Sequence, residues 1–213
     1  MLSVRGVVSW VVSLVLVGAG VALIAVFVLE PFGAAVPQGA ATNEAAPGGF
    51  NVPALDGAQS AEAGVGGPED KTLEITVPGM SRVENVRVPS VPGNDAEVLR
   101  ENAAIHLEGT GFPWQDEANV YVAGHRLGFP NTDSFLAFYD ILSLDEGDRI
   151  FVTDADGNEY TYEVFDEFVV SPTDLYVTEV KEGRNILTLQ TCTLPDYSER
   201  LIVQAELVDT VPA

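Results

Sequence analysis

An uncharged apolar run from Val7 to Leu29 constrains this chain more than any other feature. As an α-helix it spans about 35 Å at ~1.5 Å per residue, enough to cross the hydrocarbon core of a bilayer. Arg5 precedes the run, and Glu30 and Pro31 follow it. Positive charge on the amino side alone predicts an N-in, single-pass anchor over residues 1–30, with everything after it outside the cell. Secretory signal peptides have shorter apolar cores, up to about 15 residues, so length favours an uncleaved anchor. Small residues at Gly33, Ala34 and Ala35 would suit cleavage.

Residues 31–70 are rich in Ala, Gly and Pro, contain no Lys or Arg before Lys71, and show no apolar period. Such a segment cannot bury enough surface to fold and predicts a flexible linker. Residues 71–213 then form the expected extracellular domain. The chain has 32 Asp and Glu against 10 Lys and Arg, a formal net charge of −22. A polyanion repels phosphate, which argues against nucleic-acid binding and against basic-patch contact with anionic lipid. The single cysteine, Cys192, permits no intramolecular disulfide and no Cys-rich zinc site. Acidic residues are abundant, but none has calcium-ligand spacing, so neither metal nor cofactor is expected.

From Lys71 onward strand-like alternation dominates. Strands are predicted at 73–79, 84–90, 105–109, 119–125, 148–154, 159–170, 185–192 and 200–208. Asp156-Gly157 is a good hairpin turn between the fifth and sixth of the longer runs. Asn94 with Glu97 resembles a capping box opening a short helix through Asn102. Asp133 or Ser134 can cap a second helix whose apolar face is Phe135, Phe138 and Leu142. Many short strands and few helices predict a mainly β domain closed as a barrel.

Two places interrupt that texture. Gly124-His125-Arg126 directly follows a well-alternating strand, and Thr191-Cys192 ends another. Arg200 opens the next strand, so pairing of these two strands across the 193–199 loop would bring Arg200 beside Cys192. A thiol is a useful nucleophile as its thiolate, which a neighbouring imidazolium or guanidinium favours. Acyl transfer also needs positive charge where a carbonyl oxygen turns negative, and a proton donor for the leaving amine. Cys192, His125 and Arg200 together supply those three needs. Taken singly, each has a plainer reading: a buried small hydrophobe, a structural histidine, a solvated charge. His106, inside a strand, is read as structural.

The string 119–126, NVYVAGHR, is similar to the histidine motif of the sortase family. Residues 187–207, LTLQTCTLPDYSERLIVQAEL, resemble its TLxTC segment and the arginine that starts the last strand. Residues 107–119 resemble the loop before the histidine strand, and the likeness covers roughly 71–210. It implies an eight-stranded barrel with short helices and a catalytic set of Cys192, His125 and Arg200. It implies a cysteine transpeptidase that cleaves an LPxTG-like or LAxTG-like sorting signal between Thr and Gly through a thioester on Cys192. The implied partners are surface proteins bearing such signals and an amine from a lipid II-type cell-wall precursor or a pilin. Thr191 and Tyr121 are candidate substrate-binding residues. The AGHR context and the acidic, Ala-rich composition look most like class E or D sortases of actinobacteria.

Attachment to the wall is favoured over pilin polymerisation, because no DPx-like lid motif occurs in 31–70 and no second apolar span follows the last strand. A papain-like arrangement would place the cysteine before the histidine on a helix, and an L,D-transpeptidase would carry an SxGC-type motif. Neither pattern is present. The alternative of another class is a membrane-tethered β-barrel that binds wall material without chemistry.

Overall fold

The alternating runs become nine hydrogen-bonded segments in a computed structural model that describes residues 66–213. The expected anchor and linker residues 31–65 lie outside the described residues. The strands are β1 (Leu73–Thr76), β2 (Val86–Val88), β3 (Ser90–Val91), β4 (Ile105–Leu107), β5 (Ala118–Ala123), β6 (Arg149–Thr153), β7 (Glu159–Val170), β8 (Asn185–Cys192) and β9 (Arg200–Val211). They form one sheet in the order β2-β1-β6-β7-β9-β8-β5-β4-β3.

The two ends of that order are neighbours in sequence, because only Pro89 separates β2 from β3. Proline has no N–H to give a ladder, so pairing breaks there. Its carbonyl still accepts from the His106 N–H at 2.9 Å. β2 pairs antiparallel with β1, and β3 pairs parallel with β4. Counted as one strand interrupted at Pro89, the sheet has eight strands and returns almost completely on itself. This is the mainly β, nearly closed barrel with few helices that the sequence predicts.

Strands β5, β8 and β9 form the wall at whose end the candidate site residues lie. β5 runs parallel to β8, with Tyr121 beside Thr188 and Ala123 beside Gln190. A parallel pair needs a long crossover, and here it contains the β6–β7 hairpin. β8 and β9 are antiparallel, with Cys192 opposite Arg200. Successive side chains point to opposite faces of a strand. Val120, Val122, Leu187, Leu189, Leu201 and Val203 fill the barrel interior. The other face carries a second cluster that includes Tyr121, Ala123 and Ile202. Leu99 and Val177 pack there from a short helix, α1 (Ala96–Glu101), and a 3₁₀ turn (Leu175–Thr178). Covered on both sides, every residue of β8 is buried.

The structure differs from expectation at both predicted helices. Asp95, not Asn94, caps α1: its Oδ1 accepts from the Val98 N–H at 3.1 Å. The helix expected after Asp133 is instead a series of turns ending in a 3₁₀ segment, Tyr139–Ser143. Phe138 is fully buried, but Leu142 is 56 % exposed and belongs to no apolar stripe. The cause lies in the hydrogen bonds. The Leu136 N–H donates to Leu127 O and the Phe138 N–H to His125 O, at 2.9 and 3.0 Å. An α-helix capped at Asp133 or Ser134 would have kept the Phe138 donor for itself, while Leu136 would lie in its unpaired first turn. Leu136 also adopts φ 57°, outside the helical region. The segment gives up its own helix to hold the 125–129 loop in place.

Candidate active site

Cys192 and Arg200 are the last and first residues of β8 and β9, and form the terminal register pair of that ladder. Directly opposed residues project from the same face, with Cβ atoms about 4.5–5.5 Å apart. The connecting loop is closed by the Thr193 N–H donating to Glu199 O at 3.1 Å. Arg200 is buried, and its Nη1 donates to the carbonyls of Tyr197 and Glu199, both at 3.1 Å. These bonds hold the guanidinium under the loop, beside the thiol.

His125 lies two residues past the end of β5, and three bonds fix its backbone. The Gly124 N–H donates to Gln190 O at 3.0 Å, which extends the β5–β8 pairing by one residue. The Thr191 hydroxyl donates to Gly124 O at 2.8 Å. Phe138 holds the His125 carbonyl as described above. Glycine is required at 124, since a Cβ there would lie 2.6 Å from the Phe138 ring and 2.8 Å from the Ala103 carbonyl. The Phe129 ring meets the His125 ring edge-on, with centroids 5.4 Å apart. That contact orients the imidazole.

His125 and Cys192 line one small pocket, together with Arg126, Leu127–Phe129 and Tyr197. The structure therefore brings two members of the predicted set onto the walls of one cavity, with the third facing Cys192 in the ladder. Burial pushes the Cys192 thiol up to about 11, opposed by the positive charge of Arg200. Burial also pulls His125 down to about 4. Both effects disfavour charge in a poorly solvated site. At neutral pH the resting pair is a thiol and a neutral imidazole. The thiolate is a minor species at rest, and the nearby Arg200 guanidinium favours it.

Tyr121 and Thr191 are fully buried. The Tyr121 hydroxyl donates to Gln190 Oε1, and burial raises its pKa. Thr191 faces away from Cys192, and its hydroxyl is committed to Gly124 O. Both stand behind the pocket and do not line it. His106 is also fully buried, with Nδ1 2.9 Å from Ser90 Oγ and Nε2 2.9 Å from Gly111 O. It belongs to the barrel's framework, as expected. Among the described residues, no group of three His, Cys, Asp or Glu is placed to hold a metal ion. Two pocket residues with polar side chains, Arg126 and Tyr197, are not among the site residues that the sequence points to. Tyr197 lies in the loop closed by pairing of Thr193 with Glu199, and Arg126 follows the histidine directly. The position of Arg126 was a usable signal.

Residues 75–208 match the family model described as Sortase domain. A 92-residue stretch is 33% identical to Sortase A of Streptococcus agalactiae, covering 43% of this chain. The match spans 37% of the length of that curated relative. Among solved structures, Sortase A from Corynebacterium diphtheriae is 27% identical, with TM-score 0.56 over 65% of this chain and 61% of that one. The pilus-related Sortase C of Group B Streptococcus is 25% identical, with TM-score 0.56 over 67% and 70%.

Proposed function

The chain belongs to the sortase family of cysteine transpeptidases, and from that premise we propose that it cleaves an LPxTG-like or LAxTG-like sorting signal between Thr and Gly. One observation carries the proposal: Cys192 and His125 share a pocket, and Arg200 is registered opposite Cys192. In this reading the Cys192 proton passes to His125. The thiolate Sγ attacks the threonine carbonyl carbon, and the tetrahedral oxyanion forms beside the Arg200 guanidinium. The C–N bond breaks as His125 returns a proton to the glycine nitrogen. A thioester remains on Cys192. An incoming amine, its proton taken by His125, attacks that thioester and restores the thiol. The acceptor is an amine of a lipid II-type cell-wall precursor, and the donors are surface proteins bearing the signal. Thr191 positions His125 through Gly124, and Tyr121 supports the strand behind Cys192.

The anchor proposed for residues 1–30 would hold this reaction on the outer face of the membrane. The class E or D assignment remains part of the same proposal. A second reading, pilin polymerisation, draws on the likeness to pilus-related sortase C structures. The two readings differ in the amine, a wall precursor or a pilin lysine. The test offers the protein a panel of LPxTG and LAxTG peptides with each amine. Ligated product from the wild type, lost in Cys192→Ala with the fold retained, is the expected result. A Cys192→Ala variant that ligates at the wild-type rate would refute the mechanism. Retained wall binding by that variant, with no ligation by either protein, would favour the tethered binding module.

A further inference from the structure

The pocket is lined by an arginine that the reaction above does not use. Arg126 is 9 % exposed, and its Nε is buried without a hydrogen-bond partner. The chain has 32 carboxylate side chains. Among the described residues, the ion pairs are Arg100 with Glu101 and Arg184 with Glu206, and neither reaches Arg126. Burying a guanidinium N–H without an acceptor is costly. Arg200 offsets that cost with two backbone carbonyls. Arg126 has no such bonds, and it lines the same cavity as His125 and Cys192.

Resting on the transpeptidase reading, we infer that Arg126 binds a carboxylate carried by the incoming amine, so that the preferred acceptor is an amino-acid-type amine with an adjacent carboxylate. The wall of the pocket decides which partner brings the anion. Arg126 follows His125 in the chain, and His125 is the group that exchanges protons with the leaving and entering nitrogens. The nitrogen side of the scissile bond therefore faces the 125–129 wall. Arg200, under the 193–199 loop, faces the carbonyl side. A planar guanidinium suits a carboxylate held through two parallel N–H···O bonds. The amine attacks the thioester carbon as proposed above, and the carboxylate takes no covalent part.

The test uses the full-length protein, a peptide that acylates Cys192, and glycine with glycinamide in one tube at equal free-base concentrations. The ratio of the two ligated products reads only the resolving step, whatever the rate of acylation. The wild type is expected to favour glycine by about tenfold or more, the worth of one charge-assisted pair. Arg126→Gln should bring the ratio close to unity, and Arg126→Lys should retain part of the preference. A structural role would change yield but leave the ratio alone. A wild-type ratio near unity would overturn the inference. So would an unchanged ratio in Arg126→Gln, or in Arg126→Lys if the glutamine variant does not fold. Failure to form any thioester would sink the parent reading as well, and is distinguished by the missing adduct.

Discussion

The two faces of the β5–β8–β9 wall share one backbone and one register, yet the inner face is largely apolar while the outer one sets a buried polar ladder among apolar neighbours. Inward, Val120, Val122, Leu187, Leu189, Leu201 and Val203 make an apolar core. Outward, the alternate positions hold Asn119, Thr188, Gln190 and Gln204, all buried. Asn119 Nδ2 donates to the carbonyls of Val177 and Glu179 at 2.8 and 2.9 Å. Its Oδ1 accepts from the Thr188 hydroxyl at 2.8 Å, and Thr188 Oγ1 accepts from Gln204 Nε2 at 3.2 Å. Lys181 Nζ donates to Gln204 Oε1 at 2.6 Å. Cys192 and Arg200 lie at the end of this polar ladder. Stability therefore rests largely on one parity of residues and chemistry on the other, one position apart along the same strands.

Substitutions at adjacent positions should separate the two roles. The largest effect belongs to the outward end: Cys192→Ala should abolish ligation, a loss of 10⁴-fold or more, with a thermal midpoint close to wild type. Next, His125→Ala and Arg200→Gln should each slow ligation by about 10²–10⁴-fold, measured as kcat/KM. On the inward face, Leu189→Ala should cost about 2–5 kcal/mol in denaturant unfolding, with activity per folded molecule largely kept. Loss of chemistry without loss of stability from that variant would break the comparison. Asn119→Ala, which removes three bonds from the ladder, should cost about 1–3 kcal/mol by leaving buried partners unmet.

The smallest effect is a pH dependence of stability. Burial lowers both His106 and His125 from 6.5 to about 4, so the unfolded chain binds protons more readily between those values. Stability from these groups is complete above about 6.5 and is lost as pH falls toward 4. The thermal midpoint should drop across that window, and His106→Gln should flatten part of the drop. For ligation itself, opposite protonation states are needed on His125 and Cys192. The rate should therefore show a broad plateau, with an alkaline limb above the range of a free cysteine.

Much of this was legible in the sequence because it depends on local periodicity. The limits of β7 and β8 follow from alternation, and the hairpin between β8 and β9 predicts the pairing of Cys192 with Arg200. Parity alone also places Thr191 on the face away from Cys192. What was not legible depends on distant partners. The 133–142 segment carries a helical pattern, but its donors are claimed by Leu127 and His125. The Asn119–Thr188–Gln204 ladder needs a parallel pairing between residues 69 apart, which no local pattern encodes. The convergence of His125 with Cys192 is of the same kind, and came from motif resemblance rather than from period.

The most direct measurement is the mass of the protein after incubation with sorting-signal peptides and no added amine. The account predicts a peptide adduct, equal to the fragment ending at the signal's threonine, on the proteolytic fragment that contains Cys192. Unmodified Cys192 across the whole panel, in protein shown to be folded, would contradict it.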